Sequence, residues 1–152
     1  MKTLLRRMST SAAGYDTLPV RLASGIIFAA HGAQKLYGWF GGYGLEGTGT
    51  WMSSIGLEPG VLMAALAGGA EFFGGLALML GLLVRPAAVV LALTMVVAIV
   101  TVHLSNGLFM SNNGYEFGLA LLAVSVTLAI RGAGSASIDQ IISAKLAPKL
   151  AQ

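Results

Sequence analysis

The chain has 152 residues, of which 56% are hydrophobic and only 10% charged. A soluble domain carries about 25% charged residues, so an ordinary soluble fold would lack the polar surface to cover itself, and the class indicated is an integral membrane protein. The net charge of +3 comes from basic residues scattered at the edges of apolar runs, a membrane-orientation pattern and not a nucleic-acid-binding stripe; the absence of cysteine excludes disulfides, a thiolate nucleophile and a protein-held iron–sulfur cluster.

Residues 1–17 carry Lys2, Arg6 and Arg7 and then turn small and polar. A cleaved signal peptide needs its apolar core close behind the charges. Here the apolar run begins only near Leu18, so a flexible cytoplasmic tail with a retained first span is expected. Four apolar segments follow, at 19–40, 61–83, 86–104 and 115–130. Each approaches the ~20 residues that cross a ~30 Å hydrocarbon core, and together they make one transmembrane domain over residues 18–135. Pro19 and Pro86 suit helix starts, and Arg85-Pro86 marks a tight hairpin between the second and third segments. The expected fold is all-α: an integral membrane four-helix bundle with an outer Gly-rich loop and a C-terminal amphipathic helix.

The two outer loops are residues 41–60 and 105–114. Within the first, residues 50–55 read as one or two amphipathic turns anchored by Trp51, either a plain connector or a lid over the mouth of the bundle. Residues 136–152 place Ile138, Ile141, Ile142 and Leu146 at helical spacing, with Ser137 and Gln140 in capping-box positions. An inner-surface amphipathic tail is expected there. Cytoplasmic termini would put eight basic residues inside (Lys2, Arg6, Arg7, Arg21, Arg85, Arg131, Lys145, Lys149) and only Lys35 towards the outside.

Ionisable side chains inside such segments cost several kcal/mol unless they face a protein interior. His31, Gln34 and Lys35 share a face of the first helix, and Glu71, His103 and Glu116 stand alone in the other three segments. At ~1.5 Å per residue, counting from Arg21 puts His31 ~15 Å and Lys35 ~21 Å up; Arg85 puts Glu71 at ~21 Å, Pro86 puts His103 at ~25 Å, and Arg131 puts Glu116 at ~22 Å. Lys35, Glu71, His103 and Glu116 therefore fall within about one turn of a common height, and a polar pocket in the outer half is expected. Ala120, Ala123 and Thr127 share the face of Glu116 and would point inward with it.

Two imidazoles ~10 Å apart in depth do not suit a bis-histidine haem, and the Glu-x-x-His pairs of a bundle di-iron site do not occur. A single metal on His103, Glu71 and Glu116 would be opposed by Lys35. A proton-coupled organic molecule fits better: Glu71, His103 and Glu116 as proton acceptors, His31, Gln34, Lys35 and Asn106 as binding groups, and aromatic residues such as Tyr37, Trp39, Tyr43, Phe72 and Phe109 as walls for a flat ring. A structural reading stands beside this one, with Lys35–Glu71 a plain ion pair and His103 and Asn106 a helix cap and turn.

His31-Gly-x-Gln-Lys-Leu-x-Gly38, Ala70-Glu-Phe-Phe-Gly-Gly75, Gly81-Leu-Leu-x-Arg85, Thr101-Val-His-x-x-Asn-Gly-x-Phe109 and Gly114-Tyr-Glu116 together resemble the DoxX-like family of small bacterial membrane proteins, over roughly residues 18–140. The resemblance implies a four-helix protein of the bacterial inner membrane. Some relatives are subunits of quinone-reducing oxidoreductases acting on thiosulfate, and others are associated with redox defence or with quinones and catechols. It also places the family's recurring polar positions on His31, Gln34, Lys35, Glu71, His103, Asn106 and Glu116. The expectation is a membrane oxidoreductase component binding a quinone-like or phenolic molecule, with a redox partner protein or a homo-oligomer. The alternative is a non-enzymatic membrane subunit or a small-solute or proton permease.

Overall fold

The computed structural model describes residues 9–11 and 13–146, and among these it is all-helical with no strand. Helix α1 spans Thr17–Tyr37 and is followed by a 3-10 turn, Trp39–Gly41. Next come α2 (Gly44–Ser54), α3 (Gly60–Leu80) and α4 (Val84–Ala98). A π-helical turn, Ile99–His103, and a 3-10 turn, Leu104–Asn106, extend α4. Helices α5 (Glu116–Arg131) and α6 (Ile138–Leu146) complete the order. Two stretches, Gly60–Leu80 and Val84–Asn106, are long and apolar enough to cross a membrane. Helix α1 matches α3 at 21 residues but carries Arg21, His31 and Lys35.

Glycine decides how closely α1 and α3 approach. A Cβ on Gly32 would run into the backbone of Phe72 and the carbonyl of Gly68, and one on Gly25 would come within 2.7 Å of Met79 and 2.8 Å of the Gly75 carbonyl. Only bare backbone lets two helices pack this tightly. Leu91 of α4 seats against Gly74 of α3, and α4 pairs extensively with α5. The core they enclose contains Phe28, Leu78, Leu91, Met95, Leu121 and Leu128. Leu66, Phe73, Leu93, Val97, Val126 and Ile130 are turned outwards, an arrangement that water would penalise and hydrocarbon would not.

At the end where α1 starts and α5 stops, the arginines bind carbonyls. The Arg21 guanidinium is buried and donates to the carbonyls of Ala133 and Ala136. Arg85 donates to Ala129 O (3.0 Å), and Arg131 pairs with Asp16 (2.5 Å). Thr17 and Ser11 donate to Ala133 O and Arg131 O, so the orphan carbonyls at the end of α5 are satisfied by side chains. Ser11, Gly14, Asp16 and Thr17 therefore dock against residues 131–135; the rest of the N-terminal tail, residues 1–8 with 12, and residues 147–152 lie outside the described residues.

Three local expectations are corrected. The hairpin between α3 and α4 is Gly81–Leu82–Leu83, not Arg85-Pro86, because Gly81 ends α3 at φ +67° and Asp139 accepts hydrogen bonds from the amides of Leu83 and Val84, starting α4 earlier. The short turn foreseen at residues 50–55 is an eleven-residue helix, Gly44–Ser54. On α5, Ala120, Ala123 and Thr127 face outwards, and Leu121, Ser125 and Leu128 form the inward face. The expected inward phase rests on Glu116, whose carboxylate instead accepts from the amide of Met110.

Candidate functional site

Gly38, at φ +72°, ends α1 in the left-handed conformation, and Gly42 lies so close to Gln34 that any Cβ would overlap that residue's backbone. The chain therefore doubles back over the last turn of α1 and brings α2 alongside Gln34 and Lys35. Between them lies a cleft of about 590 Å³ lined by Gln34, Lys35, Tyr43, Thr48, Trp51 and Ser54, with Gly41, Gly42, Gly47 and Thr50. Gln34 Nε2 donates to the Phe40 carbonyl at 3.3 Å, and Thr48 Oγ1 to the Lys35 carbonyl at 3.4 Å, so α1 is tied to the turn that follows it and α2 is tied to α1.

Lys35 lines this cleft and donates from Nζ to Glu71 Oε2 at 2.6 Å. Glu71 is 4% exposed, on α3 between Gly68 and Gly75, whereas the lysine side chain keeps 25% exposure. A carboxylate so placed is compensated chiefly by its partner, and the charge-assisted bond is correspondingly short. His31 lies one turn below, beside Gln34 and within Coulombic range of both Lys35 and Glu71. Its ring meets Phe117 of α5 at 6.1 Å between centroids. Tyr37, Trp39, Phe72 and Phe73 form a run of ring contacts at 5.2–5.3 Å from the end of α1 to the middle of α3.

His103, Asn106 and Glu116 do not line the cleft. They hold the 105–114 loop. His103 Nδ1 lies 2.8 Å from the Asn113 carbonyl, and because a carbonyl only accepts, Nδ1 carries the proton. Asn106 Nδ2 donates to Val102 O and Asn113 O, and Glu116 Oε1 accepts from Met110 N at 2.6 Å. The π turn ends at His103 and aims its ring at the loop. Among the described residues no three His, Asp or Glu side chains gather as a metal site would require. The common height of Lys35, Glu71, His103 and Glu116 thus resolves into a buried ion pair and a separate loop latch.

Two features were not foreseen. Asp139, 1% exposed, reaches from α6 to cap α4, and Ile141 on the same helix is 56% exposed. A lone aspartate near the C-terminus gave no signal of a cap 55 residues away in sequence. Trp51, read as an interface anchor, is also a wall of the cleft.

No solved structure matches the chain. The chain is 37% identical over 126 residues to a Bacillus subtilis (strain 168) protein named "Putative oxidoreductase CatD", an overlap of 83% of this chain and 86% of the relative. The DoxX family model matches residues 17–104, a span that holds α1 to α4, the Gly60–Leu80 stretch and most of Val84–Asn106, His31, Gln34, the Lys35–Glu71 pair and His103. With more than half of its length matched by that model, the chain belongs to the DoxX family.

Proposed function

We propose that the protein is a membrane oxidoreductase component, a four-helix bundle of the bacterial inner membrane with cytoplasmic termini, that holds a quinone-like or phenolic molecule in the cleft between α1 and α2. The observation carrying this reading is the Lys35–Glu71 pair at the edge of a 590 Å³ cleft whose other walls include Tyr43 and Trp51. The volume and the apolar lining suit a flat ring, and Lys35 and Gln34 supply donors for a ring oxygen. Glu71, buried behind Lys35, is the group placed to exchange a proton when the lysine turns to the ligand. His103, Asn106 and Glu116 enter the reading as the residues that keep the adjoining loop in place. Electrons must come from a partner protein or bound cofactor, since the chain holds no redox-active cysteine.

The test is binding of a tailless, water-soluble benzoquinone to purified protein, read by quenching of Trp51 in a Trp39→Phe background. Saturable quenching is expected, weakened by about tenfold (about 1.4 kcal/mol) in Lys35→Met and in Gln34→Ala. Unchanged affinity in both folded variants would remove the reading and leave the ion pair as a structural element of a non-enzymatic membrane subunit.

A further inference from the structure

The cleft opens at the loop end, but the same polar group has a second side. His31 lies in the middle of α1 between the buried residues Phe28 and Gly32, yet its own side chain is exposed. It sits in the seam between α1 and α5, a far sparser contact than α1 with α3 or α4 with α5. Helix α5 has 16 residues against 21 in α1, and it begins at Glu116, one residue before the Phe117 ring that meets His31. Beyond Phe117 the flank of Gln34 and Lys35 has no α5 residue beside it. An exposed imidazole at that depth, hydrogen-bonded to the side chain of Gln34, otherwise meets hydrocarbon.

We infer that the seam between α1 and α5 is a lateral binding site, where a membrane-dissolved ring compound stacks on Phe117, hydrogen-bonds His31 through a ring oxygen, and passes to Gln34 and Lys35. The inference rests on the ring-binding reading of the cleft and adds the ligand's class and route: a lipophilic quinone or phenol drawn from the bilayer, not a water-soluble one taken from outside. Gln34 is the hinge of the route, since it lies beside His31 and also lines the cleft.

The experiment uses the full-length protein in phosphatidylcholine–phosphatidylglycerol liposomes and two photoreactive azidobenzoquinones, one bearing a decyl tail and one tailless. Labelled peptides are mapped with and without excess unlabelled competitor. The tailed probe is expected to label His31 and Phe117 in a competed manner, and the tailless probe to label Tyr43 and Trp51. His31→Phe should weaken the tailed probe by about tenfold and leave the tailless probe unchanged. Competed labelling by the tailed probe at Tyr43 and Trp51 alone would overturn the lateral route and leave the cleft reading intact. Competed labelling nowhere would overturn both. Protection of His31 that tracks dimer formation would also overturn the route, by assigning the seam to a second copy of the chain.

Discussion

Lys35 and Glu71 pair a buried carboxylate with a partly exposed ammonium. The carboxylate has been taken out of water and its compensation is a single 2.6 Å contact. Removing the lysine alone leaves an uncompensated buried charge, at a cost of about 3–5 kcal/mol, reduced where the carboxylate takes up a proton. Lys35→Met should therefore lower the unfolding midpoint in detergent more than Lys35→Met combined with Glu71→Gln, and additive losses in the two single variants would show that the residues are not coupled. Asp16 and Arg131 are the contrasting case, an ion pair open to solvent. The hydrogen bond from Arg131 holds the Asp16 carboxyl below its ordinary range. A depressed carboxylate stabilises the fold at neutral pH, and that contribution fades as pH falls through the depressed value. Asp16→Asn is expected to shift the melting temperature slightly at neutral pH, and not at all in acid or at high salt.

At the scale of elements, the joint between α3, α4 and α6 is built from residues more than fifty positions apart. Gly81 stops α3, and the two amides that open α4 are satisfied by Asp139 at 2.7 and 2.9 Å, from the far end of the chain. In Asp139→Ala both donors lose their partner in a nearly closed site, for about 1–3 kcal/mol. Asp139→Asn should recover part of this, since its amide oxygen still accepts; equal losses in the two variants, followed by chemical denaturation, would mean that the carboxylate acts by charge and not as a cap. Helix α6 itself forms where the chain leads one to expect, since Ser137 Oγ accepts from Gln140 N at 3.1 Å. The same logic explains the misplaced face of α5. A residue in the first helical turn answers to the loop before it, so Glu116 serves Met110 and cannot report which way the helix faces.

For the whole molecule, the basic residues raise a question of orientation as well as of structure. Arg21, Arg85 and Arg131 gather at one end, and the cleft opens at the other. If that basic end is cytoplasmic, single cysteines introduced into this cysteine-free chain at positions 85 and 112 should differ: an impermeant maleimide added to intact cells should label 112 and spare 85. The reverse pattern would invert the molecule and put the cleft in the cytoplasm. The pair of apolar helices and the sparse seam at His31 do not depend on that sign, but the direction of any proton exchange does.

Composition alone set the class, because too few charged residues exist to cover a soluble surface. Apolar run length set the rough bounds of the two helices long and apolar enough to cross a membrane, because helical rise converts residues directly into span. Counting along those helices brought Lys35 and Glu71 to one height, and the ion pair is there. It could not separate them from His103 and Glu116, because height is one coordinate and a shared site also requires the helices' rotation and neighbours. Those were decided by packing: bare glycine backbone locking α1 to α3, a fold-back at Gly38 and Gly42 carrying Tyr43 and Trp51 to the cleft, and a buried aspartate from α6 starting α4. The first and last join residues distant in sequence through contacts only a few ångströms long, and no local pattern of residues encodes such a meeting.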